Sequence, residues 1–195
     1  MPAAEIERKY PKGWAYLCEQ RETLRQRERG KWKHDRWYAF GRSQNLVQMD
    51  ADKLIIQVTA QRPTVMLDTT GLYMTGGGSG PFYGIRPKTA SYPIKYLLAL
   101  LNSAQFGEII AAQSTNLRGG YIKFSKQYIE TAPVIPPEEA GPEKVRQLIA
   151  LVDQLIALRQ QLAAPGSPHE TENRKNQLSA LTATLDTAVA ELYGI

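Results

Sequence analysis

The stretch Ser114–Lys126, STNLRGGYIKFSK, groups three side chains suited to holding an anion or a polar edge: the amide of Asn116, the guanidinium of Arg118 and the ammonium of Lys123. Gly119 and Gly120 stand between them and turn the chain, since glycine takes the left-handed backbone at little cost. A short alternating run follows, with Tyr121, Lys123 and Ser125 on one face and Ile122 and Phe124 on the other. That alternation predicts a half-buried strand. A turn held on such a support can present its cations to an anionic partner. The same spacing also describes a solvated loop ahead of an ordinary strand, and loops carry function only where a scaffold positions them.

Two further clusters have comparable chemistry. Arg42, Ser43, Gln44 and Asn45 follow Gly41. Arginine can pair with guanine bidentately, and glutamine or asparagine with adenine, although a plain polar turn fits equally. The preceding KWKHDRWYAF interleaves aromatics with Lys31, Lys33 and Arg36. Stacking plus charge suits nucleic acid, while in a duplex binder such aromatics more often form core that anchors the arginines. Gly76–Gly80, GGGSG, is neither a P-loop nor GxGxxG. It reads as a flexible loop or a close backbone approach to a partner.

The elements that must position these groups follow from periodicity. Residues 4–30 read as one helix, started near Tyr10-Pro11 and closed at Gly30, with Trp14, Leu17, Cys18, Leu24 on an apolar stripe. Cys18 on that stripe is expected to be a small buried hydrophobe. Lys53–Thr59, Thr64–Asp68 and Leu72–Thr75 read as strands, with Asp68–Gly71 as a hairpin turn and Pro63 at a strand edge. Phe82–Arg86 is a further strand. Residues 93–112 form one or two helices, with a break and recap at Asn102-Ser103. Ser125 is placed to cap a short helix to Glu130. Pro133, Pro136 and Pro137 suggest a semi-rigid linker. Beyond it, Val145, Leu148, Val152, Leu155, Ile156 and Leu162 make one stripe, and Leu178, Leu181, Leu185, Val189 and Leu192 a second. The breaker Pro165–Pro168 between them predicts an antiparallel helical hairpin. The expected class is α+β: a mixed small β-sheet with packed helices, then the hairpin. The expected divisions are 1–132 for the body, 133–142 for the linker and 143–195 for the hairpin.

Composition bounds the chemistry. The chain has 195 residues and a net charge of +5. Its first 130 residues carry net +8 and the remainder −3. A basic body favours a polyanionic partner. One cysteine and two histidines make a dedicated zinc site improbable. The opening MPAAEIERKY has no apolar segment, and no run approaches the roughly 18 apolar residues of a membrane span, so a soluble, cytoplasmic setting without membrane contact is expected. There is no Asn-Pro-Pro-aromatic tetrapeptide for amino-group methylation, no GxSxG elbow and no HExxH. Asp50 and Asp52 precede Lys53, but one short cluster before an apolar strand is thin support for a nuclease. Catalysis by this chain alone is not expected.

Six segments in order carry a family resemblance: YPKGWAYLCEQRETLRQRE, WYAFGRSQNL, KLIIQVTAQRPTVMLDTTGLYMT, YLLALLNS, STNLRGGYIKFSKQYIETAPVIPP and LDTAVAELYGI. Together they resemble the TaqI-like C-terminal specificity domain, the target-recognition region of type IIG restriction-modification enzymes and related adenine-N6 DNA methyltransferases. The resemblance implies that the chain reads double-stranded DNA for a methyltransferase catalytic domain or subunit that it lacks. S-adenosylmethionine, and Mg2+ where a nuclease is present, would belong to that catalytic part. It further implies a reading surface of Arg42, Ser43, Gln44, Asn45, Arg62, Gly77, Ser79, Asn116, Arg118, Gly119 and Lys123. The helical tail resembles spacer helices that dock on partner chains. A different class stays open beside it: an interaction module whose hairpin recruits a partner, with the basic charge incidental.

Overall fold

The computed structural model describes residues 1–41, 46–74, 80–115 and 117–195. The chain forms two compact units, 1–45 and 46–195.

In the first unit the expected single helix is broken into α1 (Ala3–Lys9), α2 (Pro11–Glu19), α3 (Arg21–Arg25) and the tight turn α4 (Arg27–Gly30). Tyr10 leaves the helical region, at φ −137° and ψ 60°, because the ring of the following Pro11 crowds the helical conformation of its predecessor. Glu28, Arg29 and Gly30 all have positive φ, which ends the helical run. Trp37 is the buried side chain here, 5% exposed, with the Trp14 ring 5.8 Å away. Arg27 holds the cluster together. Its guanidinium lies 4.5 Å from the Trp32 ring and donates to the carbonyls of Leu24 (2.9 Å), Trp37 (2.6 Å) and Ala39 (3.1 Å). Trp37 and the half-buried Trp14, Trp32 and Tyr38 thus pack around an anchored arginine, while Phe40 is exposed. Cys18, expected to be buried, is exposed. A unit this small has too little chain to cover the whole apolar stripe of α2.

The second unit begins with α5 (Leu46–Met49). Next come β1 (Lys53–Gln57), β2 (Thr59–Ala60), β3 (Val65–Asp68) and β4 (Phe82–Ile85). The order β3-β1-β4 is antiparallel throughout. Leu54 and Ile56 pair with Leu67 and Val65 on the core face. The expected third strand and hairpin at Asp68–Gly71 do not form. Leu72–Met74 has no strand structure, Thr75 lies outside the described residues, and β4 pairs with β1 instead of β3. The cause is Asp68. Its carboxylate accepts from the Thr70 N–H (2.9 Å), the Thr70 hydroxyl (2.7 Å) and the Leu72 N–H (2.9 Å), so these donors are withdrawn from any ladder.

Helix α6 (Ile94–Asn102) is buried from Tyr96 to Leu101 on every side, as befits a central core helix. Ser103 breaks it and caps α7 (Ala104–Gln113), its hydroxyl accepting from the Phe106 N–H at 3.2 Å. Asn102 clasps the edge of β3, accepting from the Val65 N–H and donating to the Val65 carbonyl, both at 2.9 Å. Next come β5 (Ile122–Lys123), α8 (Lys126–Ile129), α9 (Pro137–Ala140), α10 (Pro142–Ala163) and α11 (Pro168–Tyr193). Ser125 occupies the position before α8, but its side chain makes no capping bond. Tyr96 and Tyr193 donate to the carbonyls of Ile135 (2.9 Å) and Pro133 (2.8 Å), pinning the proline stretch to the unit.

Helices α10 and α11 run antiparallel, tied by Arg174 to the Gln161 carbonyl at one end and Lys144 to Glu191 at the other. Their stripes lie in the unit's own core: Leu148, Val152, Leu185 and Val189 are buried with Leu54, Tyr96 and Phe106. Asp186 of α11 accepts the Ala104 N–H at the start of α7, at 2.8 Å. The α+β class holds, and among the described residues no helix is long and apolar enough to cross a membrane.

Close packing of α7 depends on Gly107. A Cβ there would meet the Pro63 ring at 2.9 Å, and the ring cannot swing away. Gly107→Ala gains about 1 kcal/mol of helix propensity and incurs an overpacking cost of roughly 1–3 kcal/mol. The expected net is a loss of about 1 kcal/mol, read as a lower urea midpoint. An unchanged or higher midpoint would show that α7 can back away from Pro63.

Candidate nucleic-acid interface

Four of the candidate residues lie in the described parts of the chain: Arg62, Arg118, Gly119 and Lys123. Arg42, Ser43, Gln44, Asn45, Gly77, Ser79 and Asn116 lie outside the described residues. The four come from segments more than fifty residues apart, and one piece of local pairing joins them. β2 and β5 form a two-stranded antiparallel ribbon in which Thr59 faces Lys123 and Ala60 faces Ile122.

The ribbon is firmly supported. Phe124, fully buried, stacks on Phe106 with ring centroids 6.2 Å apart, and its N–H donates to the Val58 carbonyl at 2.7 Å. The Ser114 hydroxyl bridges the backbone of Lys123, accepting from its N–H at 3.3 Å and donating to its carbonyl at 3.1 Å. Leu117 donates to the Tyr121 carbonyl at 2.9 Å and closes the turn. Gly119 and Gly120 sit at φ 84° and 74°, which side-chain-bearing residues rarely adopt. From the other segment, the Gln61 amide donates to the Gly119 carbonyl at 3.0 Å, so the residue next to Arg62 is fastened to the turn that carries Arg118.

The residues exposed on and beside the ribbon are polar and basic. Thr59, Gln61, Arg62, Arg118, Tyr121 and Lys123 are all exposed. Arg62, Arg118 and Lys123 form no ion pair among the described residues. Three cations without a carboxylate attract polyanions, and flexible side chains on a rigid ribbon can follow a phosphate backbone or reach base edges. Gln61 and Tyr121 are exposed beside them and were not among the candidate residues. Tyr121 was legible, because alternation puts it on the Lys123 side. Gln61 was visible only through its contact with a residue 58 positions away.

The carboxylates near Lys53 have another use. Lys53 pairs with Asp68 opposite it on β3, and both are at most 2% exposed. Lys53 also donates to the Met49 carbonyl at 2.6 Å. The Lys53 ammonium, helped by the Thr70 and Leu72 donors, holds the Asp68 carboxyl well below the usual aspartate range although burial works the other way. Asp50 accepts the Tyr73 hydroxyl, and this raises the Tyr73 pKa. No group of three or more His, Cys, Asp or Glu among the described residues is placed to hold a metal ion.

The model of the TaqI-like C-terminal specificity domain matches residues 5–134. The chain belongs to that family. The match to the TaqI-like specificity domain takes in both polar ribbon segments and ends before α9, α10 and α11 begin. The chain is also similar to the type II restriction enzyme and methyltransferase RM.Eco57I of Escherichia coli, at 26% identity over 151 residues. That similarity takes in 74% of this TaqI-like chain and 15% of the relative, so the chain spans a small fraction of the relative's length.

Proposed function

We propose that this chain reads the sequence of duplex DNA for a restriction-modification enzyme of type IIG character, directing adenine-N6 methylation by a catalytic domain outside the chain. The observation that carries the reading is the β2–β5 ribbon, whose Thr59–Lys123 pairing, with the Gln61–Gly119 bond beside it, brings the segments of the exposed, ion-pair-free Arg62, Arg118 and Lys123 together in a specificity domain. Similarity to a restriction enzyme and methyltransferase supports the setting. S-adenosylmethionine, and Mg2+ for any cleavage, would be bound by the catalytic part. Lys123 and the arginines supply salt-dependent affinity, and the polar side chains on the ribbon read base edges in the major groove. Because Leu148, Leu151 and Leu185 of the hairpin are buried in its own unit, docking of a catalytic partner there would use the charged outer faces of α10 and α11.

The test is selection from a randomised duplex pool at two salt concentrations. A common motif should be enriched, with affinity falling as salt rises. No enrichment, and no preference over single-stranded RNA, would remove the reading. On the selected duplex, Arg118→Ala is expected to weaken binding by about 1–3 kcal/mol and relax one position of the motif. Unchanged anisotropy titrations would take Arg118 out of the interface.

A further inference from the structure

Beside the edge strand β3, the 46–195 unit opens into a cleft of about 1060 Å³ between the sheet and the two hairpin helices. Met66 and Ile156 contribute an apolar floor. Arg62 projects from the β2–β3 turn, Arg159 from α10 and Lys175 from α11. All three cations are exposed. Arg62 and Arg159 form no ion pair among the described residues, and Lys175 meets Glu172 at 3.7 Å on an open surface, an arrangement of small energy. Asp186 is the one carboxylate among the described lining residues, and the Ala104 N–H already holds it.

The placement runs against the composition. Residues 131–195 carry net −3, yet the part of the hairpin that lines the cleft shows two cations. Apart from Asp186 and Glu172, the hairpin's acids are engaged elsewhere: Asp153 with Lys95, Glu191 with Lys144, Glu143 with Arg146, and Glu170 in the cap of α11. The sorting leaves a cationic cleft that begins at Arg62, a residue of the candidate interface.

We infer that Arg159 and Lys175 are phosphate contacts, so that the hairpin grips the backbone of the same DNA that the ribbon reads. Arg62 lines the cleft and follows directly on Gln61, whose amide is bonded to the Gly119 turn at the ribbon's end. That continuity fits one polyanion crossing both, and a phosphodiester chain carries a charge at every nucleotide. A separate acidic peptide would match the charge but not the continuity. The inference rests on the DNA-recognition reading.

The experiment measures duplex affinity by anisotropy across a salt series for the full chain, for R159Q/K175Q and for Q160K. Gln160 also lines the cleft and is exposed. The double variant should flatten the slope of log affinity against log salt by about 1.8, and Q160K should steepen it by about 0.9, one phosphate each. The selected motif should be unchanged in both. A wild-type slope in both variants overturns the inference and leaves the ribbon as the interface. If the wild-type chain itself shows no salt-dependent duplex binding, the inference falls together with the reading beneath it.

Discussion

Phe124→Ala should lower the unfolding free energy by about 3–5 kcal/mol, the largest single loss expected from the interface region. Phe124 is completely buried, and its ring has Phe106 as a stacked neighbour. Truncation removes apolar contact and leaves a cavity that the sheet and α7 fill poorly. Folded domains hold only roughly 5–15 kcal/mol in reserve, so the variant approaches its threshold. The effect reaches function through geometry: Phe124, next to the exposed Lys123 at the end of β5, is buried in the core, and its N–H ties that end of the strand to Val58. DNA affinity should therefore fall as well, while Phe124→Leu, which refills much of the space, should keep most of both. Urea denaturation and duplex titration check this. A loss under 1 kcal/mol in Phe124→Ala would mean that the ribbon does not hang on this ring.

Lys53→Met should be the most damaging change at a charged position. The substitution leaves Asp68 buried without its counter-ion and removes the bond to the Met49 carbonyl. Breaking a buried pair on one side is far costlier than losing an exposed one such as Lys126–Glu130, where roughly 0–1 kcal/mol is at stake. The pair also sets an acid dependence. Asp68 has a folded-state pKa depressed below its ordinary value of 3.8. Its stabilisation is fully present above pH 3.8 and is lost as pH falls from there towards the depressed value. Lys53→Met weakens that depression, so its stability should fall less steeply over the same acid range. Parallel slopes for wild type and variant would show that Lys53 is not what holds the Asp68 carboxyl down. The double variant K53M/D68L tests the converse, since replacing both partners by apolar groups is often neutral. Here Asp68 also holds Thr70 and Leu72, so the double variant should recover only part of the loss.

Much of the molecule was legible in advance, and the reasons differ by element. The hairpin followed from two leucine stripes separated by Pro165–Pro168, because long periodic runs leave little choice of structure. The break at Asn102-Ser103 followed from capping chemistry. The β-strands at Lys53–Gln57, Val65–Asp68 and Phe82–Ile85 followed from short apolar and β-branched runs. Three expectations failed for reasons outside the local pattern. Pro11 overrode the periodicity of residues 4–30. Asp68 took the donors that a Leu72 strand would have needed. Cys18 sat on an apolar stripe that its unit was too small to bury.

The opening turn at Arg118–Gly120 shows the division most directly. Local sequence determined that it would be a turn, that glycine would stand in its left-handed positions, and that Lys123 and Tyr121 would share a face, because backbone sterics and strand alternation are properties of adjacent residues. Only the tertiary structure decided what lies beside it. The pairing of Thr59 with Lys123 and the bond from Gln61 to Gly119 bring the Arg62 segment beside the turn, and folding of the hairpin brings Arg159 and Lys175 to the cleft that Arg62 lines. Such juxtapositions depend on closing loops of some sixty to a hundred residues, for which burial of a shared core provides the drive and no local pattern carries a record.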